Sequence, residues 1–195
     1  MIEILQVIPE TLRDQAGKIY YDAFQRKLQP LVGQPLKTSR VLTAGLNLNL
    51  AIGVVVDGRL CGLAGLHNQA GIFSRVTLPD SLRELGLARG MFSWAVLNLF
   101  GAGANCPPEH LRIAAIAVDA QERGKGFGSL LLNSVFDKAR REGYTSVRLE
   151  VVDTNLGARQ LYERAGFVVV HTHSYPISSN WLGFSRDHVM VKTLG

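Results

Sequence analysis

The sequence predicts an α/β fold whose sheet contains at least one parallel crossover. Three observations carry that prediction. From Leu111 onward the apolar segments alternate strand, helix, strand, helix, strand, an order that lays helices across parallel strands. Asp57-Gly58 joins two apolar runs, the strongest short-range hairpin signal. Phe127, Leu130, Leu131, Ser134, Val135 and Lys138 recur at spacings of three and four, one face of an amphipathic helix.

The elements follow in order. Ile2 to Ile8 reads as a short strand and Pro9 to Phe24 as a helix, with Pro9 suited to a first turn. Thr38 to Leu46 reads as a second helix. Ala51 to Val56 and Arg59 to Leu66 are the hairpin strands. His67 to His110 breaks the rhythm, with two short helices and a loop from Gly101 to Pro108. Leu111 to Val118 is a strand too apolar for an exposed edge. A glycine-rich turn leads into a helix reaching about Glu142, with Gly143 placed to cap it. Thr145 to Val152 is a strand, Asn155 to Ala165 a helix stopped by Gly166, and Phe167 to Tyr175 and His188 to Lys192 are closing strands.

Composition narrows the class. The chain has 195 residues, 47% apolar and 19% charged, enough for a core without disulfides and too apolar for disorder. Its most apolar stretch, Met91 to Phe100, is broken by Ser93 and Asn98 and is about half the length a bilayer requires. The net charge of +5 comes from dispersed residues, which suits an anionic small ligand at least as well as nucleic acid. Cys61 and Cys106 read as reduced thiols of a cytoplasmic protein. MIEILQVIPE lacks the pattern of a signal leader, and Ile2 stands where N-myristoylation needs glycine.

The most informative stretch runs from Val118 to Ser129, between strand and helix. Its glycines fall at the helix N-terminus, where the first N–H groups lack intrahelical partners and the macrodipole is positive. Without side chains at Gly124, Gly126 and Gly128, a phosphate can reach those groups, and Arg123 and Lys125 add charge. Neither the dinucleotide nor the P-loop pattern fits the spacing. Gln121-x-x-Gly124-x-Gly126 resembles the acyl-CoA pyrophosphate turn of the GNAT N-acetyltransferase superfamily. Asn155 to Phe167 resembles that family's second signature, N-x-x-A-x-x-L-Y-x-x-x-G-F, at every fixed position. The resemblance spans about Arg112 to Val170.

It implies a single-domain α/β (α+β) fold of the GNAT type, with a mixed central sheet of about six to seven strands flanked by helices. It also implies acetyl-CoA as cosubstrate, no metal, and an amine acceptor. Ile116, Ala117 and Val118 would lie along the pantetheine arm. Gln121, Arg123, Gly124, Lys125, Gly126, Phe127, Gly128 and Ser129 would hold the pyrophosphate, and Asn155 and Arg159 would complete the cofactor contacts. Asn155 is equally a natural N-cap.

The chemistry assigns two further residues. A thiolate must leave acetyl-CoA, and a phenol titrating near ~10 can give it a proton. The resemblance puts Tyr162 at that position; its other reading is a packed aromatic with a satisfied hydroxyl. The attacking amine must be neutral, which calls for a base. Glu150, flanked by apolar residues on an expected central strand, is the candidate, since burial raises a carboxyl pKa toward useful values. Leu149-Glu150-Val151, with Tyr162 twelve residues after Glu150, resembles the base-and-acid pair of bacterial ribosomal-protein N-terminal acetyltransferases. An ion pair of Glu150 with Arg148 or another cation is the alternative, with deprotonation by water. His171, His173 and Tyr175 share a strand face and read as a wet sheet surface rather than a metal site.

Residues 68–109 form a helical insert within one domain spanning 1–195. Leu82, Leu85, Met91, Trp94 and Leu97 would make its hydrophobic face: a satellite core, a wall of the acceptor pocket, or a homodimer contact. Direct acetyl transfer in a ternary complex is the expected activity. A non-catalytic acyl-CoA sensor or scaffold is the rival. Neither nucleic acid nor a membrane is an expected partner.

Overall fold

The computed structural model describes residues 1–32, 35–101, 107–175 and 183–195. Cys106 lies outside the described residues, as does the side chain of Leu97. Seven strands form one mixed sheet: β1 (Ile2–Leu5), β2 (Ala51–Val56), β3 (Arg59–His67), β4 (His110–Val118), β5 (Ser146–Val152), β6 (Val168–Ser174) and β7 (Arg186–Thr193). Their spatial order is β1-β2-β3-β4-β5-β7-β6. Only β4 and β5 run parallel; every other neighbouring pair is antiparallel. The hairpin turn is Asp57-Gly58, with φ of 48° and 78°, the two left-handed residues of a type I′ turn.

The helices divide between the faces. α1 (Arg13–Val32) packs over β3 and β4, and α2 (Pro35–Ala44) lies against α1. On the opposite face lie α5 (Phe127–Arg141) and α6 (Leu156–Arg164). α3 (Leu78–Leu85) and α4 (Leu87–Gly101) form the insert, with α3 on α2 and α4 against α3 and α1. One core joins the sheet to α5 and α6 through Leu111, Leu131, Val147 and Met190. A second joins the sheet to α1 through Ile19, Leu63 and Phe73.

Several boundaries differ from expectation. β1 stops at Leu5; Ile8 instead buries its side chain and donates its N–H to Leu48 O at 3.2 Å. Pro9 does not begin α1. Its extended ψ of 154° caps a 3-10 turn over Glu10–Leu12. α1 then starts at Arg13 and continues past Phe24 to Val32. α4 is 15 residues long rather than short. Leu85 is buried with Tyr21, Val41, Leu42 and Val76 in a satellite core. Met91 and Trp94, by contrast, are 54% and 38% exposed, so neither joins that satellite core. On α5, Leu132, Phe136 and Ala139 join the buried stripe, because β5, α6 and Phe167 cover that side of the helix.

Two features of β4 position the site. The β3–β4 register shifts so that Ala114 is an extra residue between Ile113 and Ala115. Such a bulge re-aims a strand: Leu111 and Ile113 face α5, whereas Ala115 and Ala117 face α1. Further, β4 pairs with β5 only at His110–Ser146, Leu111–Val147 and Arg112–Arg148. Beyond Arg112 the two parallel strands part. The stretch 113–118 has no ladder partner on β5, roughly 20 Å of strand at ~3.3 Å per residue.

Candidate active site

The glycine turn sits at the open end of that cleft. Asp119 caps a 3-10 turn over Ala120–Glu122, accepting from Gln121 N at 3.0 Å. Gly124 and Gly126 have φ of +81° and +86°, and a Cβ on either would meet nothing within 4 Å. Gly126 is the left-handed N-cap of α5, and Leu130 N donates back to Gly126 O at 3.0 Å. The N–H groups of Phe127, Gly128 and Ser129 therefore have no carbonyl within the helix. Phe127 is buried and roots this end in the core, while Ser129 is exposed. A Cβ on Gly128 would lie 3.0 Å from Leu161 Cδ2. Gly128 thus permits the approach of α5 to α6, a packing role the motif did not reveal.

The charges are less one-sided than the sequence suggested. Lys125 Nζ lies 2.8 Å from Glu122 Oε2, and Arg59 pairs with both Glu122 and Asp119. The Lys125 ammonium, with Arg59 behind it, holds the Glu122 carboxyl below the usual range. Arg123 is exposed and donates from Nε to Val118 O at 3.3 Å.

On α6, Asn155 is the N-cap, accepting from Ala158 N at 3.3 Å. Arg159 pairs with Glu163 at 2.8 Å and donates from Nη1 to His188 Nε2 at 3.3 Å. The other ring nitrogen of His188, Nδ1, lies 2.9 Å from Thr172 Oγ1. Tyr162 stands one step round α6 from Leu161, off the stripe that Ala158 and Leu161 share, yet it is the buried residue of α6, 8% exposed. Its ring meets Phe167 edge-on with centroids 5.9 Å apart. The cause is the close seating of α6 beside α5, which turns Tyr162 inward and leaves Ala158 and Leu161 partly buried. Burial pushes the phenol up to about 12. Its hydroxyl has no hydrogen-bond partner among the described residues, unlike a phenol with a structural partner.

Glu150 lies on the α1 face, since Val147, Leu149 and Val151 alternate toward α5. It is paired: Arg112 Nη2 donates to Oε2 at 3.0 Å, and Arg148 Nη2 is 3.5 Å from Oε1. His67 is the ladder partner of Arg112 on β3. Its burial, assisted by the Arg112 charge, lowers the imidazole to about 4, so it is neutral at pH 7. The sequence reading passed over Arg112; its signal was a lone charge in an otherwise apolar strand. The structure therefore gathers β4, the glycine turn, Asn155 and Tyr162 around the α5 side of the cleft. It puts Glu150 on the other side.

His173 has a partner too, Asp187 Oδ1 at 2.8 Å from Nδ1. Among the described residues no cluster of three His, Cys, Asp or Glu groups stands ready for a metal. None of the described helices is long and apolar enough to cross a membrane.

Comparison with known proteins adds the family. The chain is 39% identical over 59 residues to rat N-acetyltransferase 8B, a match covering 30% of this chain and 27% of that protein. It spans between about a quarter and a third of the length of the curated relatives it matches. The Escherichia coli ribosomal-protein-S18-alanine N-acetyltransferase superposes with a TM-score of 0.59 and 17% identity, covering 100% of this chain and 95% of that one. A Salmonella typhimurium acetyltransferase solved with its cofactor acetyl-CoA superposes with a TM-score of 0.63 and 13% identity, over 100% and 95% of the two chains. The acetyltransferase (GNAT) family model matches residues 16–167. The match takes in the parting strands, the glycine turn and all of α6, and on it this chain belongs to the GNAT acetyltransferase family.

Proposed function

We propose that this chain moves an acetyl group from acetyl-CoA to a primary amine by direct attack in a ternary complex. The acceptor is a small molecule, or the N-terminus or a lysine of a peptide or protein. The observation that carries this reading is the parting of β4 from β5 beside the glycine turn. An unpaired parallel strand edge offers N–H and C=O groups to an extended ligand containing amides. That edge leads to a helix N-terminus suited to phosphate. Ile116, Ala117 and Val118 then line the pantetheine arm. The N–H groups from Gly124 to Ser129 receive the pyrophosphate, with Gln121, Arg123 and Lys125 around it. Asn155 and Arg159 close the other side. A family relative solved with acetyl-CoA supports the cosubstrate.

The reaction requires one proton to leave the amine and one to reach the sulfur. The amine nitrogen bonds to the acyl carbon as the carbon–sulfur bond breaks. Tyr162 supplies the sulfur's proton: its hydroxyl is protonated and unpartnered. Glu150 accepts the amine's proton. For Glu150→Gln we expect the acidic limb of the pH–rate profile to vanish; an unchanged limb assigns deprotonation to water. The whole reading is tested by a thiol-release assay across amine classes. Acetyl-CoA binding without thiol release in any of them would instead mark a non-catalytic acyl-CoA module.

Residues 1–195 act as one domain in this reading, and the 68–109 insert walls the acceptor side. It packs on α1 and α2, over the sheet face that carries Glu150. Leu87, Met91 and Phe92 on α4 are exposed and form the surface a homodimer contact would use. Replacing 87–101 by a short linker is expected to change acceptor preference or molecular mass and to spare acetyl-CoA affinity. Unchanged preference and mass would remove the insert from both roles. Cys61 is a free, buried thiol, which fits a cytoplasmic setting.

A further inference from the structure

On the α1 face of the sheet, two guanidiniums share one carboxylate. Arg112 and Arg148 both pair with Glu150, at 3.0 and 3.5 Å. Neither has another acidic partner among the described residues. His67 beside them is neutral at pH 7 and adds no charge. Arg112, Arg148 and Glu150 therefore hold two positive charges against one negative; the Asp187 carboxylate, which shares Tyr175 with Glu150, is held by His173 at 2.8 Å. Arg112 is only 8% exposed, and its Nε–H is buried without an acceptor. An incompletely balanced guanidinium in such a place is costly, and a bound anion would offset its charge, though not reach the buried Nε–H. The location is specific as well. Arg112 and Arg148 are the last ladder pair before β4 and β5 part, so the excess charge lies at the closed end of the cleft.

We propose that the acceptor brings its own carboxylate: it is an α-amino acid, or a derivative with a free α-carboxyl group, held by Arg112 and Arg148 while Glu150 faces its amine. This rests on the acetyl-transfer reading above. One excess positive charge matches a monoanion, whereas a phosphate ester, dianionic at neutral pH, would reverse the imbalance. A guanidinium also pairs with a planar carboxylate through two parallel hydrogen bonds. Arg148 and Glu150 stand two residues apart on one strand face, so cation and carboxylate are presented side by side, as an amino acid needs. When the substrate carboxylate takes up the guanidiniums, Glu150 is released from the 3.5 Å contact with Arg148. The carboxylate itself is unchanged by the reaction. The new amide bond forms at the amine, the carbon–sulfur bond breaks, and the protons pass as described.

The test uses the full chain and compares each free L-amino acid with its amide and its decarboxylated amine in the thiol-release assay. Glucosamine 6-phosphate and a short peptide are included. For the amino acids used, kcat/KM is expected to exceed that of the amide by about thirtyfold or more. Arg148→Gln is expected to remove most of that preference and leave the Kd for acetyl-CoA unchanged. Arg112→Gln serves as a second variant once circular dichroism shows it folded. Amides, the peptide or the sugar phosphate serving as well as free acids would overturn the carboxylate site and leave acetyl transfer standing. So would an Arg148→Gln enzyme that keeps its preference. Absence of thiol release with every amine overturns the acetyl-transfer reading, and this proposal with it.

Discussion

Tyr162→Phe is expected to lower turnover by roughly tenfold or more while acetyl-CoA binds near its normal affinity. The ring is structural and the hydroxyl is not. Tyr162 fills the core beside Phe167 and is 8% exposed, so a phenylalanine keeps the packing. The hydroxyl makes no hydrogen bond among the described residues, so its loss leaves no protein group unpaired. What disappears is a proton source for the departing thiolate. The direction of its pKa shift adds a pH signature. Burial disfavours the phenolate and pushes the group up to about 12, so the acid form persists throughout the working range. Tyr162 therefore produces no basic limb within the working range, and any limb found there belongs to another group. Steady-state kinetics with calorimetric titration of acetyl-CoA check both parts. Unchanged turnover would return Tyr162 to a purely packing role.

Gly126→Val is expected to raise the acetyl-CoA Kd by about ten- to a hundredfold, and titration calorimetry measures it directly. Gly126 holds φ at +86° as the N-cap of α5. An L side chain there costs about 1–2 kcal/mol of backbone strain. A Cβ there would meet nothing within 4 Å, so the added side chain begins in open space. It stands over the free N–H groups of the first helical turn. A folded variant with normal acetyl-CoA affinity would show that phosphate binding does not pass through this turn.

What was legible in the sequence is local. Asp57-Gly58, the glycines before Phe127 and the cap at Asn155 each state their own geometry, and each stands as the sequence predicted. The misreadings arose where a neighbour decides. Pro9 is compatible with a first helical turn, but its ψ of 154° answers to the burial of Ile8 beside it. Tyr162 falls off the apolar stripe of α6 taken alone. It is buried because Gly128 lets Leu161, and α6 with it, close on α5. The ion pair of Glu150 with Arg148 was open to the sequence and is present at 3.5 Å; the closer partner, Arg112, lies 38 residues away on β4. The parting of β4 and β5 is written in no single residue, being a relation between two ladders.

Ala114 divides β4 into two lengths that are out of phase. The segment before it is tied to β5 and aims Arg112 toward α1; the segment after it runs along the open cleft. Chain length between these ends is therefore a discrete variable. Removing a residue elsewhere in β4 shifts every side chain between the cut and Ala114 by one position, exchanging faces there, whereas removing Ala114 itself leaves both ends in register with β3. Substitution can retune the two halves of this site independently, but a one-residue deletion away from Ala114 cannot. A library that varies residue identity in β4 keeps both faces in place, whereas one that varies its length keeps them only when the change falls at Ala114.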